Sequence, residues 1–97
     1  MFGKLKHVDH FRPRTQPAQA IYDAFSEESK KRDGRNFDES HEAEKKAVHI
    51  AAVKMAKELN LREPTLEDIN HAERYASGHT DYGACWAYKV TDIMSRK

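Results

Sequence analysis

Ala47-Val48-His49-Ile50-Ala51-Ala52-Val53-Lys54-Met55-Ala56-Lys57-Glu58-Leu59 decides the fold. Within it Val48, Ala51, Ala52, Met55, Ala56 and Leu59 recur at the spacing of one helix face. Its alanines are strong helix formers and small enough to let a neighbouring helix approach closely. Upstream, Asp38 or Ser40 is placed to cap this helix, and Glu39, Glu42 and Glu44 lie near its positive end. Downstream, Asn60 takes the left-handed conformation that stops a helix, and Pro64 stands just before the next start. This predicts the longest helix of the chain and the spine of the fold.

The flanking segments repeat the pattern on a smaller scale. Pro17 suits the first turn of a helix, with Thr15 or Gln16 near its cap. Ala18, Ile21, Tyr22 and Phe25 form one stripe of a first helix that runs to about Arg32 and ends at Asp33-Gly34. Thr65-Leu66-Glu67-Asp68 is a capping box with aspartate in place of the usual glutamate. The short third helix it opens turns Leu66, Ile69, Ala72 or Glu73, and Ala76 inward and stops at Gly78. Thr80-Asp81 caps a fourth helix, Asp81 to Met94, with Tyr82, Cys85 or Trp86, Lys89 or Val90, and Ile93 on one side. No alternating strand pattern, Asn-Gly hairpin or fixed-period repeat occurs. The reading is all-α: a small bundle of about four helices over residues 15–97, preceded by an extended basic arm over residues 1–14.

With 97 residues there is room for one core. An apolar fraction of 38% against the roughly 45–50% of typical globular chains makes that core thin. A homodimer is then one way to cover apolar faces that a single copy leaves open. Formal net charge is +1, which excludes both a strongly acidic DNA mimic and a histone-like coating protein. The single cysteine, Cys85, excludes an internally stapled secreted miniprotein and makes a reducing cytoplasm the expected location. Lys54, Lys57 and Glu58 interrupt the most apolar stretch, so no membrane span is expected. MFGKLKHVDHF lacks the apolar run of a secretory signal.

The residues that carry chemistry in other proteins are present here without their usual companions. Of the six histidines, His7, His10, His41, His49, His71 and His79, only His7-x-x-His10 is a local pair. No Cys-x-x-Cys or His-Glu-x-x-His accompanies it, so no metal and no cofactor is assigned. The best metal alternative gathers His71, His79 and Cys85 around the turn at Gly78, with an exposed His71 as the simpler reading. Cys85 lies near the start of a helix, where the dipole lowers a thiol pKa, but no oxyanion motif or nucleophile elbow is present. Gly3, Gly34, Gly78 and Gly83 are scattered and form no phosphate cradle. No catalytic residue is assigned.

Gly78-His79-Thr80-Asp81-Tyr82-Gly83-Ala84-Cys85-Trp86-Ala87-Tyr88 is the most distinctive segment, rich in aromatic side chains and poor in charge. Tyr82 and Trp86 read as core, with Gly83 allowing close packing; alternatively Tyr82, Trp86 or Tyr88 anchors a partner protein, as Tyr and Trp often do at interfaces. A second alternative is nucleic-acid binding, with Lys4, Lys6, Arg12 and Arg14 of the arm tracking phosphates and Lys30, Lys31, Arg32 and Arg35 forming a second patch. The commoner role of Lys30-Lys31-Arg32 is to complement a helix C-terminus. Glu67, Asp68 and Glu73 in the third helix count against a recognition helix in a major groove.

Arg12-Pro13-Arg14-Thr15 leading into Ala20-Ile21-Tyr22-Asp23-Ala24-Phe25, together with Gly78-His79-Thr80-Asp81-Tyr82-Gly83 and Trp86-Ala87-Tyr88, resembles small proteins of bacteriophages and prophages. The resemblance implies expression in a bacterial host cytoplasm. It also implies a non-catalytic binding protein that inhibits or modulates a host protein machine, a defence system among the options.

Overall fold

The computed structural model describes residues 15–31 and 34–96. The basic arm, residues 1–14, lies outside the described residues, as do Arg32, Asp33 and Lys97. Among the described residues there are four α-helices and no strand: α1 (Gln16–Ser29), α2 (Phe37–Leu59), α3 (Leu66–Ala76) and α4 (Tyr82–Met94).

Each boundary has a local cause. Pro17 occupies the first turn of α1 with Thr15 at the cap, although the threonine side chain makes no capping bond. Gly34, at φ +86°, serves the turn that leads to α2. The cap of α2 is Asn36, not Asp38 or Ser40: its side chain accepts from Glu39 N at 2.8 Å, and the Glu39 carboxylate accepts from Asn36 N in return. Asn60 then closes α2 at φ 56°, and Leu61 N donates to Ala56 O at 2.8 Å in a Schellman-type stop. The aspartate capping box of α3 is complete, with Asp68 N donating to Thr65 Oγ1 and Thr65 N to Asp68 Oδ2. That backbone bond, above all, holds the Asp68 carboxyl below the usual carboxylate range. Asp81 precedes α4 but makes no capping bond, because its carboxylate is engaged by Cys85.

α1 lies between α2 and α4 and packs on both, while α3 packs chiefly on α4. The core is built from Ala18, Ile21 and Phe25 of α1, Val48, Ala52, Met55 and Ala56 of α2, Ile69, Ala72 and Ala76 of α3, and Trp86, Ala87, Val90, Ile93 and Met94 of α4. Leu66, expected to face inward, is 52% exposed, because the inward stripe of α3 begins one turn later at Ile69. Leu59 is likewise exposed at the end of α2. Arg62 N donates to Met94 O at 3.0 Å and His49 Nε2 to the Pro64 carbonyl at 3.1 Å, which fix the α2–α3 connection against α4 and α2.

The tightest packing is between α1 and α4 at Gly83. A Cβ there would stand 2.6 Å from Phe25 Cε2 and 3.1 Å from Tyr22 Cε1. Phe25 cannot withdraw freely, since it meets Tyr82 and Trp86 edge-on with centroids at 5.7 Å in both pairs. Gly83→Ala is therefore expected to destabilise the protein by about 1–2 kcal/mol, the overpacking cost outweighing the gain in helix propensity. Urea unfolding followed by circular dichroism measures this, and a variant as stable as the parent would show that the α1–α4 contact yields.

Candidate functional site

The aromatic segment divides into core and surface. Trp86 is fully buried and donates its Nε1–H to Ile69 O at 3.2 Å. It is therefore a core residue and not a partner anchor. Tyr82 is half-buried and donates its hydroxyl to Glu73 Oε2 at 2.7 Å. Of the three aromatics singled out in the sequence, Tyr88 is the exposed one, at 46%; Tyr75, on α3, is exposed nearby at 55%. The Lys89 ammonium lies 4.8 Å from the Tyr75 ring centroid.

Behind Tyr82 lies a polar cluster that the sequence reading did not single out. Glu44 is 1% exposed and Ser40 is 3% exposed, both on the inner side of α2. Ser40 Oγ donates to Glu44 Oε2 at 3.4 Å. His41 stands between two carboxylates, with Nδ1 3.8 Å from Glu44 Oε1 and Nε2 3.7 Å from Glu73 Oε2. The Phe37 ring stacks on its imidazole at 5.5 Å. A pocket of about 250 Å³ opens between Phe37, His41, Glu44, Glu73, Ser77 and Tyr82. Serine, histidine and acid are the ingredients of a nucleophilic triad, but here the hydroxyl is committed to the carboxylate and not to the imidazole, and it is buried. The arrangement brings α2 against α3 through His41 and Glu73, and α3 against α4 through the Tyr82–Glu73 hydrogen bond; the Ser40 hydroxyl is not placed as a nucleophile.

The second basic patch is largely neutralised within its own segment. Lys30 pairs with Glu27 at 3.6 Å, and both Lys31 and Arg35 reach Glu28, at 3.2 and 3.3 Å. The Lys31 hydrogen bond, with Arg35 beside it, holds the Glu28 carboxyl below its ordinary range. The other residues of the nucleic-acid alternative, Lys4, Lys6, Arg12, Arg14 and Arg32, lie outside the described residues.

The outer face of α2 carries the apolar surface. Ile50 is 62% exposed, and with Ala43, Ala47 and Leu66 it lines an open groove of about 580 Å³ bordered by Lys46. The groove's neighbour along the same helix is lined by Ile50, Val53, Lys54 and Lys57. The result is an aliphatic strip of mixed charge at one end, where Glu28 and Glu42 also line the groove and Lys45 pairs with Glu42 at 3.6 Å, and edged by Lys54 and Lys57 at the other.

At the α3–α4 turn, His79, Asp81 and Cys85 bring one ligand-type atom each within 4.8 Å of the others. His71, the third member of the arrangement read from the sequence, is not in this group; Asp81 takes its place. The thiol is also not activated. Burial first, and the Asp81 carboxylate second, push Cys85 up to about 11, outweighing the helix N-terminus that by itself lowers a thiol pKa.

Comparison of the chain with protein-family models, with curated proteins and with solved structures returns no match. A Cys85 pKa raised from 9.0 to about 11 leaves about 100-fold less thiolate at pH 8 than in the unfolded chain. Alkylation by iodoacetamide in the presence of a chelator is expected to be slower in the native protein than in urea by a comparable factor. The same raised value stabilises the fold below pH 9 and withdraws that stability as pH rises toward 11. Equal alkylation rates in the two states would show that the thiol is free of Asp81.

Proposed function

We propose that this protein is a non-catalytic binding protein that docks a bacterial host protein, in the cytoplasm, and inhibits or modulates it. The single observation that supports this reading is the strip on the outer face of α2, where Ile50 is 62% exposed beside Val53 and Leu66 while Lys46, Lys54 and Lys57 stand along its edges. A thin core gives a chain reason to bury every large aliphatic side chain it has, and an exposed one in a concave surface marks a place where another molecule completes the burial. Lys54 and Lys57 favour a partner segment that is apolar in the middle and acidic at the end lying beside them, such as an amphipathic helix laid along α2. Tyr88 contributes a separate exposed aromatic; Trp86 and Tyr82 support the surface from inside.

Among the described residues no helix is long and apolar enough to cross a membrane. The phage resemblance supplies the host setting, and the inhibitory role follows from that analogy alone.

The test is affinity capture from nuclease-treated bacterial lysate with the native chain and Ile50→Asp side by side, both confirmed as folded. A stoichiometric protein retained by the native chain, lost with Ile50→Asp and weakened at least about tenfold by Lys54→Glu, is expected from a core contact with a charged rim. A partner equally retained by both variants would remove the groove from the interface. Nuclease-sensitive recovery would transfer the activity to nucleic acid and the basic arm, and a homodimer that dissociates on Ile50→Asp would assign the strip to self-association.

A further inference from the structure

A different part of the molecule carries a second site, independent of the binding surface on α2. We infer that His79, Asp81 and Cys85 bind a thiophilic divalent cation of the zinc class at the α3–α4 turn. The argument begins with ligand type. Thiolate, imidazole and carboxylate are the donors zinc takes from proteins, and a thiolate excludes the hard cations magnesium and calcium as preferred occupants.

Geometry is the second step. The three donor atoms lie within 4.8 Å of one another, and Cys85 Sγ is already 3.2 Å from Asp81 Oδ1. Tetrahedral zinc with bonds of about 2.0–2.3 Å places its donors about 3.3–3.8 Å apart. Asp81 and Cys85 stand one helical turn apart at the start of α4, so their spacing is set by the helix itself. His79 is exposed and follows Gly78, whose φ of +90° forms the turn between α3 and α4. The Tyr75 ring packs against the imidazole with centroids at 5.7 Å.

In the metal-free chain the Cys85 thiol donates to Asp81. On binding, that proton leaves to solvent and the thiolate and carboxylate both contact the cation, whose charge offsets their repulsion. A pocket of about 240 Å³, lined by Cys85 with Tyr75, Tyr88, Lys89 and Asp92, opens the Cys85 side of the turn to solvent. Lys89, the nearest cation in that pocket, is drawn to Asp92 at 3.9 Å and to the Tyr75 ring.

The probe is cobalt(II), added to the full chain after chelator treatment and then displaced by zinc. A thiolate-to-cobalt charge-transfer band is expected to saturate at one cobalt per chain and to be lost on zinc addition. The chain has a single cysteine, so the band reports this site and not imidazole binding by His7 and His10. Cys85→Ser removes the band, His79→Ala weakens zinc binding by about tenfold or more, and Asp81→Asn, which keeps the side-chain shape, also weakens it. Zinc raises the melting temperature of the parent but not of Cys85→Ser. Absence of the band at millimolar cobalt overturns the inference, as does saturation at one cobalt per two chains or unchanged zinc affinity in a His79→Ala variant of parental helicity.

Discussion

The burial of Trp86 is the contact on which all four helices depend. It sits on α4, meets Phe25 of α1 with ring centroids at 5.7 Å and His41 of α2 at 6.3 Å, and bonds the Ile69 carbonyl of α3 at 3.2 Å. Six of the other fourteen core residues are alanines, Ala18, Ala52, Ala56, Ala72, Ala76 and Ala87, set among larger aliphatic side chains and Phe25. In such a core one large aromatic determines the spacing between helices, and the alanines and Gly83 allow the backbones to close around it. The indole N–H is buried as well, so its bond to Ile69 O sets the rotation of α3 as well as its distance.

That spacing explains a carboxylate in the interior. The inner stripe of α2 runs from Ser40 and Glu44 through Val48 and Ala52 to Met55, polar at one end and apolar at the other. Burying a charged carboxylate without partners costs several kcal/mol, but Ser40 donates to Glu44 and His41 stands beside it. His41 in turn faces Glu73, which also accepts from Tyr82. At that polar end of the bundle Glu73 is tied to α4 by a hydrogen bond and lies against α2 through its approach to His41.

What the sequence revealed and what it hid follow the same division between local and long-range physics. The helices, the left-handed stop at Asn60, the capping box at Thr65 and the turn at Gly78 are local, since each is decided within a few residues. The cap at Asn36 is local too and was passed over for Asp38 and Ser40, although Asn36-x-x-Glu39 has the required spacing. Glu44 was read as a charge complementing the start of α2. Extending the Val48, Ala52 stripe back by one turn puts Glu44 on the buried face, but only the neighbouring helices show that its partners are there. The surface role of Ile50 is partly legible, as it falls off the stripe that carries Val48 and Met55. Asp81 was legible as a cap and not as a companion of Cys85, because the missing capping bond depends on how the turn folds. Trp86 was open between core and interface since an aromatic-rich helix serves either, and tertiary packing alone decides.

The shape of α2 bears on the proposed docking at its outer face. A helix of 23 residues, fixed by a reciprocal capping box at one end and a left-handed stop at the other, holds Ile50 and Val53 in place before any partner arrives. Backbone ordering then adds little to the cost of association, which is confined mainly to the side chains of Lys46, Lys54 and Lys57, about 0.5–1.5 kcal/mol for each one immobilised. Lysines left solvated at the rim avoid even that cost. They act on a charged partner at a distance, raising the rate of encounter more than the strength of the final complex, so the aliphatic strip between them has to supply the affinity.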